Sequence, residues 1–90
     1  MAIDFRWNDW NLNHIAEHGV TIEEAEHVVE HADAGYPEPI GDGKYRVRGQ
    51  SRDGRYLQAV YIYDPAAVVY VIHARDLADR EKRNLRRRRR

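Results

Sequence analysis

The stretch KYRVRGQSRDGRYLQAVYIYDPAAVVYVIHA, residues 44–74, decides the fold. Three runs within it, Lys44–Gln50, Tyr56–Tyr63 and Val68–Ala74, read with a period of two. They are rich in Val, Ile and Tyr, whose side chains suit a pleated, half-buried surface. Asp53-Gly54 separates the first two runs and Asp64-Pro65 the second two, both with turn chemistry. The three runs therefore predict an antiparallel meander.

Upstream, Ile3 to Trp7 alternates apolar with charged residues and predicts a short half-buried strand. Asn8 or Asp9 reads as an N-cap for a helix over Trp10–His18, whose apolar members are Leu12, Ile15 and Ala16. Gly19 stands where a C-terminal helix glycine belongs. Thr21-Ile22-Glu23-Glu24 is a capping box, with Val20 and Ala25 at the staple positions. The stripe Ile22, Ala25, Val28, Val29, Ala32 carries this second helix to about Ala32. Asp33 to Gly43 contains Gly35, Pro37, Pro39, Gly41 and Gly43 and is expected to be a connecting loop. Beyond the meander, a nearly all-cationic helix begins near Asp76 or Asp79. Arg86–Arg90 is expected to fray, because like charges repel and no apolar residue follows Leu85. The order is β-α-α-β-β-β-α. It predicts an α+β fold in which a short N-terminal strand and the meander form an antiparallel sheet, packed with two N-terminal helices and one basic C-terminal helix.

Ninety residues cannot divide their apolar surface between two cores, so residues 1–90 form one domain. With 42% hydrophobic and 33% charged residues the chain has the composition of a globular protein. No apolar run reaches the ~20 residues of a membrane-spanning helix, and no signal peptide is visible. The absence of cysteine excludes disulfides and thiolate zinc sites and fits a cytoplasmic protein.

Fifteen basic and fifteen acidic residues give a net charge of zero, but they are not mixed. Residues 1–43 hold ten acids and one base, Arg6; residues 44–90 hold fourteen bases and five acids. The basic half is almost all arginine, the side chain suited to bidentate phosphate contacts. Arg46 and Arg48 share one strand face; Arg52 and Arg55 flank the hairpin turn; Arg75 ends the last strand on the side of His73; Arg80 and Arg83 open the last helix. Strands paired in sequence order bring these groups toward one rim, where they could hold a nucleic-acid backbone. The alternative is a solvated face of arginines paired with Asp53, Asp64 and Asp76.

His14 and His18, and likewise His27 and His31, are four apart on helices, the spacing at which two histidines can share a metal. Glu17 is two residues late for the zinc-protease pattern, and these pairs read as polar helix surface, so no metal or cofactor is expected. His73, on a strand two residues before Arg75, is a candidate general base or acid. Its alternative is a half-buried histidine bonded to backbone.

Phe5-Arg6-Trp7, His18-Gly19-Val20 and Thr21-Ile22-Glu23-Glu24-Ala25 resemble the opening of BrnT-type toxins. Gly49-Gln50-Ser51 with Asp53-Gly54-Arg55, and Val71-Ile72-His73-Ala74-Arg75 with Arg80-Glu81-Lys82-Arg83, resemble the rest of that signature in the same order. The resemblance implies a RelE-like fold and the RNA-cutting toxin of a type II toxin–antitoxin pair, neutralised by an antitoxin of ribbon-helix-helix type. It matches His18 to the family's helix-end histidine, Arg55 to its hairpin arginine, and Arg75 with Glu81–Arg83 to its closing motif. Asn11 and Glu17 replace expected lysines, His73 an expected serine, and Leu85 an expected tyrosine.

The expected activity is metal-independent RNA cleavage, in which the RNA's own 2′-hydroxyl attacks the adjacent phosphate. Arg48, Arg55 and Arg75 would stabilise phosphate charge, His73 and His18 would move protons, and Arg46, Arg52, Arg80 and Arg83 would hold RNA. The alternative is a module of the same fold that binds RNA or protein without cutting.

Overall fold

A computed structural model describes residues 3–88. In chain order the elements are α1 (Asp9–Ala16), α2 (Ile22–Glu30), β1 (Glu38–Gly41), β2 (Lys44–Gln50), β3 (Tyr56–Tyr63), β4 (Val69–Asp76) and α3 (Asp79–Arg88). The fold is α+β, with a four-stranded antiparallel sheet in the order β1-β2-β3-β4. The predicted meander is β2-β3-β4.

Capping chemistry sets the helix starts. The Asn8 side chain accepts from the Asn11 amide while the Asn11 side chain accepts from the Asn8 amide; Thr21 and Glu24 repeat the exchange for α2. Both arrangements satisfy two backbone donors that a helix start leaves open. Gly19, at φ +68°, lets the chain turn out of α1, and the Val20 amide closes back on the Ile15 carbonyl at 3.1 Å.

Strand register fixes the two faces of the sheet. Val47 pairs with Ala59 and Ala59 with Ala74, and all three are at most 1% exposed. They join Ile15, Val28, Leu57, Tyr61 and Val71 in one core beneath the first two helices, α2 lying against β2 and β3 and α1 against β4. The opposite face is crossed by α3. Its Glu81 bonds Arg48 and Arg75, Leu85 is 2% exposed, and Arg86 lies over the Tyr56 ring.

Three expectations are corrected. The N-terminal strand shrinks to a parallel bridge between Phe5 and Val69. The Asn11 side-chain amide takes the Arg6 carbonyl at 3.0 Å, so the chain leaves the ladder and enters α1. The expected loop after α2 instead contains β1, joined to β2 through Asp42 and Gly43, both at positive φ. This is the turn whose backbone twist matches antiparallel strands. Finally, α3 runs on through Arg88, beyond the expected onset of fraying. Arg86 and Arg88 bond the hydroxyls of Tyr56 and Tyr36 at 3.3 and 2.7 Å, which gives the cationic turn neutral partners. The remainder of the expected frayed run, residues 89–90, lies outside the described residues. No helix among the described residues is long and apolar enough to cross a membrane.

Candidate functional site

A bulge in β4 creates the site. Val60 of β3 pairs with His73, but the next residue, Tyr61, pairs with Val71, leaving Ile72 as the extra residue. An extra residue resets the alternation of a strand and re-aims the side chains beyond it. Val71 is fully buried in the core, whereas His73 and Arg75 face the other way. Two rows result on the face away from α2: Arg46–Val60–His73 and Arg48–Gln58–Arg75. Adjacent strands are ~4.8 Å apart, so each row spans ~10 Å.

His73 is half-buried. Burial, then the neighbouring His18, Arg75 and His14, push its pKa below the usual histidine value, so the neutral ring is favoured. His18, exposed just beyond the end of α1, meets it edge-on with ring centres 5.4 Å apart. His14 is packed flat on Trp10 at 3.8 Å, with Nδ1 2.7 Å from the Trp10 carbonyl oxygen.

The second row is occupied by an internal anion. Arg75 donates to both carboxylate oxygens of Glu81, at 2.8 and 2.9 Å, and Arg48 donates to Glu81 Oε2 at 2.9 Å. Glu81 Oε1 also accepts from the Ala78 amide at 2.8 Å, completing a cap at the start of α3. With Arg75 as the main cause, helped by the Ala78 amide and Arg48, the Glu81 carboxyl is held down to about 2. Gln58, 6% exposed, accepts through Oε1 from Arg48 Nε at 2.9 Å and from Arg75 Nη2 at 3.5 Å.

Arg55 is a structural clamp. It forks onto Asp76 at 2.7 and 3.0 Å, reaches Glu24 at 3.1 Å, and donates to the carbonyls of Gly19 and His18. These bonds tie the end of α1, the start of α2 and the end of β4 together. Its pKa is raised, chiefly by the Asp76 bond.

The other predicted arginines separate. Arg46 is paired with Glu38 of β1. Arg52 lines a groove of about 680 Å³ beside α2 whose walls include Glu23, Glu24, Glu26, Glu30 and Asp53, so it stands apart from the two rows in negative surroundings. Arg80 and Arg83 are exposed and, with Arg87, form a stripe at helical spacing on the solvent side of α3. None of these three has an ion pair among the described residues. The bases on the sheet are thus mostly neutralised, and those on the helix are open.

Sequence reasoning missed Gln58, the carboxylate role of Glu81 and the Ile72 bulge. The signal for Glu81 was its place three residues after Ala78 at a helix start; nothing local marks the bulge. Among the described residues no group of three or more His, Asp or Glu side chains is placed to hold a metal, and His27 and His31 stack on each other at 4.3 Å. Comparison with family models, curated proteins and solved structures finds no match.

Proposed function

We propose that the protein is a metal-independent endoribonuclease, the toxin of a type II toxin–antitoxin pair, as its resemblance to BrnT-type toxins of RelE-like fold implies. The observation that carries the reading is the His73–His18 contact, with Arg75 two residues along the same strand face. RNA brings its own nucleophile in the 2′-hydroxyl. The protein must orient the backbone, offset the charge that develops on the phosphate, and move two protons.

His73, with its neutral form favoured, takes the proton from the 2′-hydroxyl, and His18 on the exposed side gives one to the leaving 5′-oxygen. Arg75 and Arg48 face the phosphate oxygens, and Arg80 and Arg83 hold the flanking backbone. Arg55 drops out of the catalytic set, since its donors are spent on Asp76, Glu24 and two carbonyls. The partners are RNA and an antitoxin of ribbon-helix-helix type, and the setting is the cytoplasm.

The experiment is incubation of the purified protein with single-stranded RNA in EDTA. Products ending in 2′,3′-cyclic phosphate, lost in Arg75→Ala while that variant still folds, are expected. Full cleavage by Arg75→Ala removes that residue from the mechanism. A second reading, RNA or protein binding without cleavage, is favoured by the Glu81 carboxylate already sitting on both Arg48 and Arg75. Retention of RNA without products selects it.

A further inference from the structure

We infer that Arg48, Gln58 and Arg75 form a phosphate site which the chain fills with its own Glu81, and that a phosphodiester displaces this carboxylate on binding. For its ligand the inference rests on the RNA reading above; for the cradle it rests on geometry alone.

The Glu81 carboxylate occupies the position of a bound anion. Two parallel bonds from Arg75 and one from Arg48 converge on its two oxygens. A phosphodiester presents two non-bridging oxygens to the same fork. One carboxylate cannot neutralise two guanidinium groups, so the cradle keeps a net positive charge even when filled.

The cradle does not depend on Glu81 for its shape. Buried Gln58 accepts from Arg48 Nε and Arg75 Nη2 through the same oxygen, and so aims both arginines from below. Displacing Glu81 need not undock α3, because Leu85 and the Arg86–Tyr56 and Arg88–Tyr36 contacts hold its other end. The departing side chain gives up the Ala78 cap and two ion pairs, which sets a threshold that a weak anion does not cross. Arg80, Arg83 and Arg87 on the solvent side of the same helix favour a polyanion over an isolated acidic side chain as the competitor. A phosphate in the cradle lies one row from His73.

Glu81→Gln is the test variant, because the amide oxygen can still accept from the Ala78 amide while the charge is gone. Two probes are read: the melting temperature in inorganic phosphate at fixed ionic strength, and fluorescence anisotropy with labelled single-stranded RNA in EDTA. Expected are a phosphate-dependent rise in melting temperature that wild type lacks, and RNA affinity higher by about tenfold. Adding Arg75→Ala to Glu81→Gln should abolish both gains. A Glu81→Gln protein no more responsive to phosphate than wild type overturns the inference, whatever RNA does. A phosphate response without tighter RNA binding upholds the cradle and overturns the RNA reading. Should Glu81→Gln lose the far-ultraviolet signal of α3, Glu81→Ser, which can cap without reaching the arginines, repeats the comparison under the same criteria.

Discussion

Val71 and His73, two residues apart on β4, face opposite sides of the sheet. An unbroken strand would put both in the core, and the bulge at Ile72 is what separates them. Their truncations should therefore differ. Val71→Ala should cost about 2 kcal/mol through a cavity in the shared core, and His73→Ala less than about 1 kcal/mol. Urea unfolding of the two variants measures this; equal losses would place His73 in the core.

That bulge is also where the sequence stopped being legible. The three meander strands, the Thr21–Glu24 capping box and the shared side of His73 and Arg75 follow from residue type and period alone. Strand order pointed to one rim for Arg46, Arg48 and Arg75, but their sharing a face with His73 depends on one extra residue that no turn chemistry announces. β1 was legible in principle: Asp42-Gly43 is as strong a hairpin signal as Asp53-Gly54, but the surrounding glycines and prolines masked it. Charge reading found the arginines and not their partners. Arg55 looked catalytic because Glu24 and Asp76, 31 and 21 residues away in sequence, are invisible to local pattern.

Gly43 tests the β1–β2 turn. A Cβ there would meet nothing within 4 Å, so any cost comes from φ +73° alone. Gly43→Ala should lose about 1 kcal/mol and Gly43→Val more. A neutral Gly43→Val would mean that the turn has a different backbone.

Arg55→Ala should lower stability by about 2–3 kcal/mol, since it leaves Asp76, Glu24 and two carbonyls short of a charged donor. For a chain of this size that is a fall of roughly 10 °C or more in melting temperature. Arg55→Lys should recover little, because an ammonium cannot fork onto Asp76 and reach Glu24 together. Loss of cleavage without loss of stability would return Arg55 to the catalytic set.

The pH dependence separates His73 from Glu81. His73 has a lowered folded pKa, so protonation disfavours the folded state, and stability falls as pH drops below the ordinary histidine value near 6.5. Glu81, held down to about 2, contributes stability that is complete above about 4.5 and lost as pH falls toward 2. Unfolding free energy against pH should show two separate declines, the upper one smaller in His73→Gln and not abolished, because burial also lowers the His27 pKa. Followed by NMR, the His73 ring of wild type should titrate with a midpoint below the ordinary histidine value, and His18→Gln, which removes a nearby positive charge, should move that midpoint upward. An unchanged midpoint would break the histidine pairing.

Arg80, Arg83 and Arg87 give the last prediction. They are exposed at spacings of three and four on α3, so the helix presents them together, and no carboxylate among the described residues neutralises them. Each phosphate contact on single-stranded RNA should contribute about −0.7 to the slope of log affinity against log salt concentration. Replacing all three by alanine should flatten that slope by about 2 if each meets one phosphate, and should weaken RNA sequences to similar extents. Leu85 and the Glu81 cap face the sheet, so the variant should keep its helix and its melting temperature. Arg52→Ala, on the rim of the acidic groove, should leave the slope unchanged and is the matched control. An equal change in both variants would mean that bulk charge, not the α3 stripe, governs binding.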